Sequence, residues 1–108
     1  MEEKALRYNE GKIDWTLLDW ESVKPLADGM TYGATKYSRD NWKQKCDDPK
    51  QHIQSAFRHL IAIASGEEID PESGVRHSGL VMCNMMMYNY HTKPKRDIKQ
   101  FLMDCFKK

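Results

Sequence analysis

Asp48-Pro49-Lys50-Gln51-His52-Ile53-Gln54-Ser55-Ala56-Phe57-Arg58-His59-Leu60-Ile61-Ala62-Ile63-Ala64-Ser65-Gly66 is the stretch that decides the fold. Asp48 is a good N-cap, Pro49 suits the first helical position, and Gln51 completes a capping-box pattern. Ile53, Ala56, Phe57, Leu60, Ile61 and Ala64 then recur at helical spacing and form one apolar stripe. Gly66 is placed to stop the helix, because glycine adopts the left-handed conformation that ends one.

Further helices flank this one. Upstream, Val23, Leu26, Ala27, Met30, Ala34 and Tyr37 repeat at helical spacing, in a helix starting near Asp19 or Ser22 with Pro25 in its first turn. Gly29 and Gly33, four apart, can let two backbones approach. Residues 38–47 read as a loop. Downstream, Val75 to Tyr90 is apolar around much of its circumference, with Leu80, Val81, Met82, Met85, Met86 and Met87; such a helix is central or at a subunit interface. Thr92 caps a last helix whose face is Ile98, Phe101, Leu102, Cys105 and Phe106. Tyr8-Asn9-Glu10-Gly11-Lys12 has turn chemistry. The expectation is an all-α, four-helix bundle-like single domain over 1–108: an irregular arm (1–18), a helical core (19–90) and a C-terminal helix (92–108).

With 108 residues there is room for one modest core, so a homodimer or homotetramer would bury apolar area that one copy leaves bare. Seventeen basic against sixteen acidic residues give a net charge of +1, which calls for neither a nucleic-acid nor a membrane partner. Lys93, Lys95, Arg96 and Lys99 read as a solvated face. Three cysteines, Cys46, Cys83 and Cys105, without a CxxC pair argue against a disulfide scaffold and a zinc knuckle; Cys83 and Cys105 read as buried thiols. No transmembrane run or signal-peptide core is visible, so the expected location is cytoplasmic.

Chemistry concentrates between Arg58 and Asn84. Glu67, Glu68, Asp70 and Glu72 fall within six positions beside a helix end. Carboxylates packed that closely repel unless water or a cation neutralises them, and oxygen-rich sets suit Mg²⁺ or Mn²⁺. A solvated acidic loop is the plain alternative. His77 and Asn84, seven apart, share a face of an otherwise apolar helix and need partners. Arg58 can contact phosphate oxygens or pair with Glu67, Asp70 or Glu72. A second candidate is 33–42, where Lys36 and Arg39 can meet phosphates, Tyr37 and Trp42 can stack on a base, and Asn41 can read a base edge or hold the loop. There is no Walker loop, Rossmann glycine pattern, nucleophile elbow or zinc-protease helix.

Taken in order, Gly11-Lys12-Ile13-Asp14-Trp15-Thr16-Leu17-Leu18, Tyr32-Gly33-Ala34-Thr35-Lys36-Tyr37 with Asn41-Trp42, Arg58-His59-Leu60, Gly66-Glu67-Glu68-Ile69-Asp70-Pro71-Glu72-Ser73-Gly74, and His77 through Asn84 resemble the small phage and bacterial dATP/dGTP diphosphohydrolases, relatives of the MazG-type all-helical nucleoside triphosphate pyrophosphatases. The resemblance covers roughly residues 7 to 90. It implies metal-dependent hydrolysis of a purine deoxynucleoside triphosphate to the monophosphate and pyrophosphate, with Mg²⁺ or Mn²⁺ as cofactor, in the cytoplasm of the producing or phage-infected cell. By that resemblance Glu67, Glu68, Asp70 and Glu72 are the metal ligands, Glu67 and Asp70 foremost. Glu67, Glu68, Asp70 and His77 are the catalytic candidates. Lys12, Lys36 and Arg58 would offset charge on the triphosphate, Tyr37, Asn41 and Trp42 would sit nearer the nucleoside, and His59 and Asn84 complete the substrate-binding set. Leu80 stands where many relatives carry a second histidine. The other readings are a non-catalytic nucleotide-binding or regulatory protein on the same fold, and a helical assembly protein.

Overall fold

The structure is a computed structural model that describes residues 11–92 and 98–106, apart from the side chain of Phe101. The chain divides into two compact units, Asp19–Lys93 and a second made of Met1–Leu18 with Pro94–Lys108. The described part of the first unit is helical: α1 (Trp20–Lys36), α2 (Lys50–Ala64) and α3 (His77–Thr92), with one 3-10 turn at Asn41–Lys43. The second unit contributes a 3-10 turn at Trp15–Leu17 and helix α4 (Ile98–Cys105). Among the described residues the sole β pairing is an isolated antiparallel bridge between Ile69 and Arg76. The all-helical expectation holds. Tyr8 to Glu10, Lys93, Lys95 and Arg96 lie outside the described residues.

α2 forms where its signals place it. The Asp48 carboxylate accepts from the Lys50 N–H at 3.0 Å and the Asp48 carbonyl from the Gln51 N–H at 3.0 Å, so Asp48 supplies the cap even though the helix proper starts at Lys50. At the other end Gly66 has φ +95°, its N–H bonds the Ile63 carbonyl at 3.0 Å, and the Glu67 N–H bonds the Ala62 carbonyl at 2.9 Å. These two bonds form a Schellman stop, and they fix Glu67 at the helix end.

α1 starts at Trp20, behind Asp19, whose carboxylate accepts a hydrogen bond from the Ser22 hydroxyl. Pro25 is therefore the sixth residue of the helix and not in its first turn, a correction to the sequence reading. Its ring breaks the hydrogen-bond ladder at a place where α3 comes close. A Cβ on Gly79 would lie 2.6 Å from Pro25 Cβ, and one on Gly29 would lie 2.6 Å from Cys83 Sγ. The bare backbones of Gly29 and Gly79 thus set the separation of α1 and α3. Gly33, by contrast, has open space where its Cβ would be.

α3 begins two residues later than the spacing suggests and runs through Thr92. Thr92 does not cap α4; its hydroxyl donates to the Tyr88 carbonyl at 2.8 Å and closes α3 instead. α3 is the central helix, packed on α1, α2 and the 41–43 turn. The described core is thin: Ala56, Val75 and Cys83 are its buried apolar side chains, with buried His77 among them. The α2 stripe is split. Ile53 and Ala56 turn inward, whereas Phe57 (57% exposed), Leu60 (46%) and Ile61 (63%) face out of the single chain. No described helix is long and apolar enough to cross a membrane.

Candidate active site

α2 and α3 run antiparallel, and the inner face of α2 carries histidines where a simple core would carry leucines. Near the start of α3, His59 Nδ1 lies 2.8 Å from His77 Nδ1, and His77 Nε2 lies 2.8 Å from Glu67 Oε1. His77 is 4% exposed. One tautomer set satisfies every atom: His77 donates Nε2–H to the Glu67 carboxylate, accepts from His59 Nδ1–H, and leaves the lone pair of His59 on Nε2. Partial burial, and then the neighbouring His77, hold the His59 pKa below the ordinary histidine value, so His59 is neutral near pH 7.

The loop that delivers Glu67 and His77 is a tight return. The Asp70 N–H bonds the Val75 carbonyl at 2.9 Å, and the His77 N–H bonds the Glu68 carbonyl at 2.8 Å. Gly74 has φ +73°, which lets the chain reverse. Asp70 does not start a helix; its Oδ2 accepts from the Ser73 N–H at 3.1 Å and the Ser73 hydroxyl at 2.7 Å. Burial acts against the Asp70 anion, but the donors of Ser73 and the Glu72 N–H outweigh it and hold its pKa below the usual value.

The loop gives the four carboxylates different surroundings. Glu67 faces His77, Asp70 faces Ser73, Glu72 meets Lys36 Nζ at 2.7 Å, and Glu68 is exposed. The Glu72 hydrogen bond raises the Lys36 pKa and ties the end of α1 to the loop.

Two cavities adjoin here. The polar one, about 240 Å³, is lined by Lys36, Tyr37, His59, Asp70, Glu72 and Asn84 among others. The apolar one, about 190 Å³, is lined by Met30, Ala34, Asn41, Trp42 and Met87 among others. Both are also bordered by Gly29, Gly33, Tyr37 and Met87. Gly33, with open space where its Cβ would be, lies on the border that the two cavities share. Trp42 is half-buried, edge-on to Tyr90 at 5.0 Å, and Tyr37 is 65% exposed at the boundary.

Of the residues expected at the site, the fold therefore gathers Lys36, Tyr37, Asn41, Trp42, His59, Asp70, Glu72 and Asn84 around the two cavities, with His77 and Glu67 behind His59. Arg58 is exposed and donates to Ser55 Oγ at 2.9 Å, on a different side of α2 from His59. Lys12 belongs to the other unit, beside a cavity of about 330 Å³ lined by Ile13, Asp14 and Phe106.

Sequence reasoning missed two features. His59 is legible in the sequence only as a member of the substrate-binding set, not as the end of a histidine pair; the antiparallel pairing of α2 and α3 brings it to His77. His52, His91 and Cys46 were not singled out, yet single donor atoms from the three lie within 4.8 Å of one another. The short spacing from Cys46 to His52 is a local signal, but His91 arrives through the fold.

Comparison with known proteins gives the chain's relatives. The chain is 24% identical over 97 residues to a dATP/dGTP diphosphohydrolase of Salmonella phage PMBT28, a match covering 85% of this chain and 33% of that protein. It thus spans about a third of the length of this curated relative. No solved structure matches. Residues 2–100 match the family described as "dATP/dGTP diphosphohydrolase, N-terminal", and the chain belongs to that family.

Proposed function

We propose that this protein hydrolyses purine deoxynucleoside triphosphates, dATP and dGTP, to the monophosphate and pyrophosphate. The observation that carries the reading is the Glu67–His77–His59 relay, whose outer histidine lines a polar cavity that shares a border with an apolar one. In this account the base enters the apolar cavity against Trp42, Met30 and Met87. The phosphates occupy the polar cavity near Lys36, which exchanges Glu72 for phosphate oxygen.

The chain's own groups then divide the work. His59 Nε2 takes a proton from water as the water oxygen attacks the α-phosphorus. The bond from that phosphorus to the bridging oxygen breaks, and pyrophosphate leaves with the electron pair. The charge gained by His59 is shared with His77 and balanced by the Glu67 anion, as a carboxylate orients and stabilises an imidazolium in other relays. Asn84 positions the wall of the site: its Nδ2 donates to the Leu80 carbonyl at 2.8 Å, and its Oδ1 faces His52 Nδ1 at 3.3 Å.

Mg²⁺ or Mn²⁺ fits the donor chemistry. Mg²⁺ commonly takes one or two carboxylates, with water and substrate phosphates filling its remaining positions. Asp70 and Glu72 line the polar cavity, where Ser73 donates to Asp70 Oδ2 and Lys36 to Glu72 Oε1, and their carboxylates would hold the ion. Bound there, the ion supplies charge neutralisation for the triphosphate and its leaving group.

The binding half of the proposal is tested at Trp42. Trp42→Ala should weaken dATP binding by about 1–3 kcal/mol, roughly 5- to 150-fold, the worth of one stacked base. Isothermal titration with a non-hydrolysable dATP analogue, alongside a melting curve, separates this from a loss of fold. Unchanged affinity in a folded variant would sink the stacking role.

We further propose a homo-oligomer in which a second copy of this chain covers α2. The described core contains no fully buried large side chain, while Phe57, Leu60 and Ile61 stand exposed together on that helix. A domain this small gains most from burying such a face. Sedimentation of wild type should give a dimer or tetramer and Phe57→Glu/Ile61→Glu a monomer; a monomeric wild type at micromolar concentration contradicts it.

A further inference from the structure

We propose that Cys46, His52 and His91 form a zinc site, separate from the carboxylates and serving to hold the Trp42 segment in place. The three residues come from three elements: the loop before α2, the first turn of α2 and the last turn of α3. Their donor atoms lie within 4.8 Å of one another, and all three residues are half-buried. Among the described residues this is the one group of three such side chains that converges.

Each histidine has one ring nitrogen against a protein oxygen. His52 Nδ1 is 3.3 Å from Asn84 Oδ1, and His91 Nε2 is 2.8 Å from the Trp42 carbonyl. Both partners are oxygen acceptors, so the ring nitrogen that meets each one carries the proton. The other nitrogen of each ring is left as a lone pair. Metal-binding histidines have this arrangement, with one nitrogen on the metal and the other tied to a carbonyl or amide oxygen. The two rings lie nearly parallel, 8° apart with centroids at 5.7 Å.

One thiolate and two imidazoles are a donor set for Zn²⁺ and not for Mg²⁺ or Mn²⁺, which prefer oxygen. Binding forms a zinc–sulfur bond and releases the Cys46 thiol proton to solvent. Three protein ligands leave a fourth position for water. The other cysteines are differently disposed: Cys83 is buried, with its thiol pushed up to about 11, and Cys105 belongs to α4 in the other unit.

The consequence is mechanical. His91 holds the carbonyl of Trp42, and Cys46 lies four residues beyond it. An ion on Cys46, His52 and His91 would pin the 41–49 segment to the ends of α2 and α3, and with it the Trp42 and Asn41 wall of the apolar cavity. The site thus supports the binding wall.

The test reads metal binding and not hydrolysis, so its outcome is separable from the hydrolase proposal. The reduced, metal-free full chain is titrated with Co²⁺ in excess Mg²⁺. The expected result is a thiolate-to-cobalt charge-transfer band that saturates at one equivalent and is abolished by Zn²⁺. Cys46→Ser should lose the band and Cys105→Ser should keep it. His91→Gln should weaken binding by at least about tenfold. A Zn²⁺-dependent rise in melting temperature in wild type, missing in Cys46→Ser, is the second readout, and it also reports that the variant folds. No charge-transfer band at one equivalent, or a band that survives in Cys46→Ser, overturns the proposal.

Discussion

His59→Gln should lower kcat for dATP by about 10²–10⁴-fold, the range lost when a positioned general base is removed. The melting temperature should stay close to wild type. Glutamine keeps an amide that can face His77 Nδ1, and His59 is only half-buried, so little packing is lost. KM should change less than kcat, because the base acts on water and not on the nucleotide. The pH profile carries a second signature. Burial and His77 depress the His59 pKa, and the proposed mechanism needs the neutral form. Activity is therefore full above the ordinary histidine value of about 6.5 and falls only as pH drops below it. An acidic limb centred above that value would mean that another group is titrating. The same displacement acts on stability: an unfolded chain protonates His59 first, so this residue's contribution shrinks as pH falls from about 6.5 toward its folded pKa and then levels off.

Glu67→Gln and Asp70→Asn should both remove most hydrolysis, but for reasons that a metal titration separates. Glu67 lies against His77 at 2.8 Å and anchors the relay, so its amide replacement should leave Mg²⁺-induced stabilisation intact. Asp70 lines the polar cavity, so Asp70→Asn should lose both turnover and most of that stabilisation. Without metal, relief of crowded charge would make the amide neutral or stabilising at Asp70. The geometry predicts the opposite. Its anion is held by Ser73, and its depressed pKa means that it stabilises the fold above the ordinary carboxylate value and loses that contribution as pH falls through its folded pKa. Asp70→Asn should therefore melt somewhat lower in metal-free buffer near neutral pH. Equal metal responses in the two variants would undo the division of roles.

Helix positions were legible where local chemistry decides them. Asp48, Pro49 and Gly66 bracket α2 because caps and stops act on their own neighbours. The all-round apolar character of α3 announced a central helix. Pro25 was misread because a first-turn position was the local solution, while the fold uses the proline where α1 meets Gly79. Half of the α2 stripe looked like core because spacing reports a face but not what covers it. The acidic motif was visible as a cluster, yet its pairings were not: whether Glu67 meets a neighbour, a cation or His77 depends on the turn through Gly74 and on α3. His59 and His91 are further cases, since each needs a partner helix before it can be seen as part of a constellation.

The central claim is the reaction itself, and product analysis tests it most directly. Purified protein is incubated with dATP or dGTP and Mg²⁺ or Mn²⁺, and the products are separated by ion exchange, with His59→Gln in parallel. The account predicts deoxynucleoside monophosphate and pyrophosphate in equal amounts from wild type and almost none from the variant. Release of orthophosphate, release of intact triphosphate from the nucleoside, or no turnover with either nucleotide would contradict it.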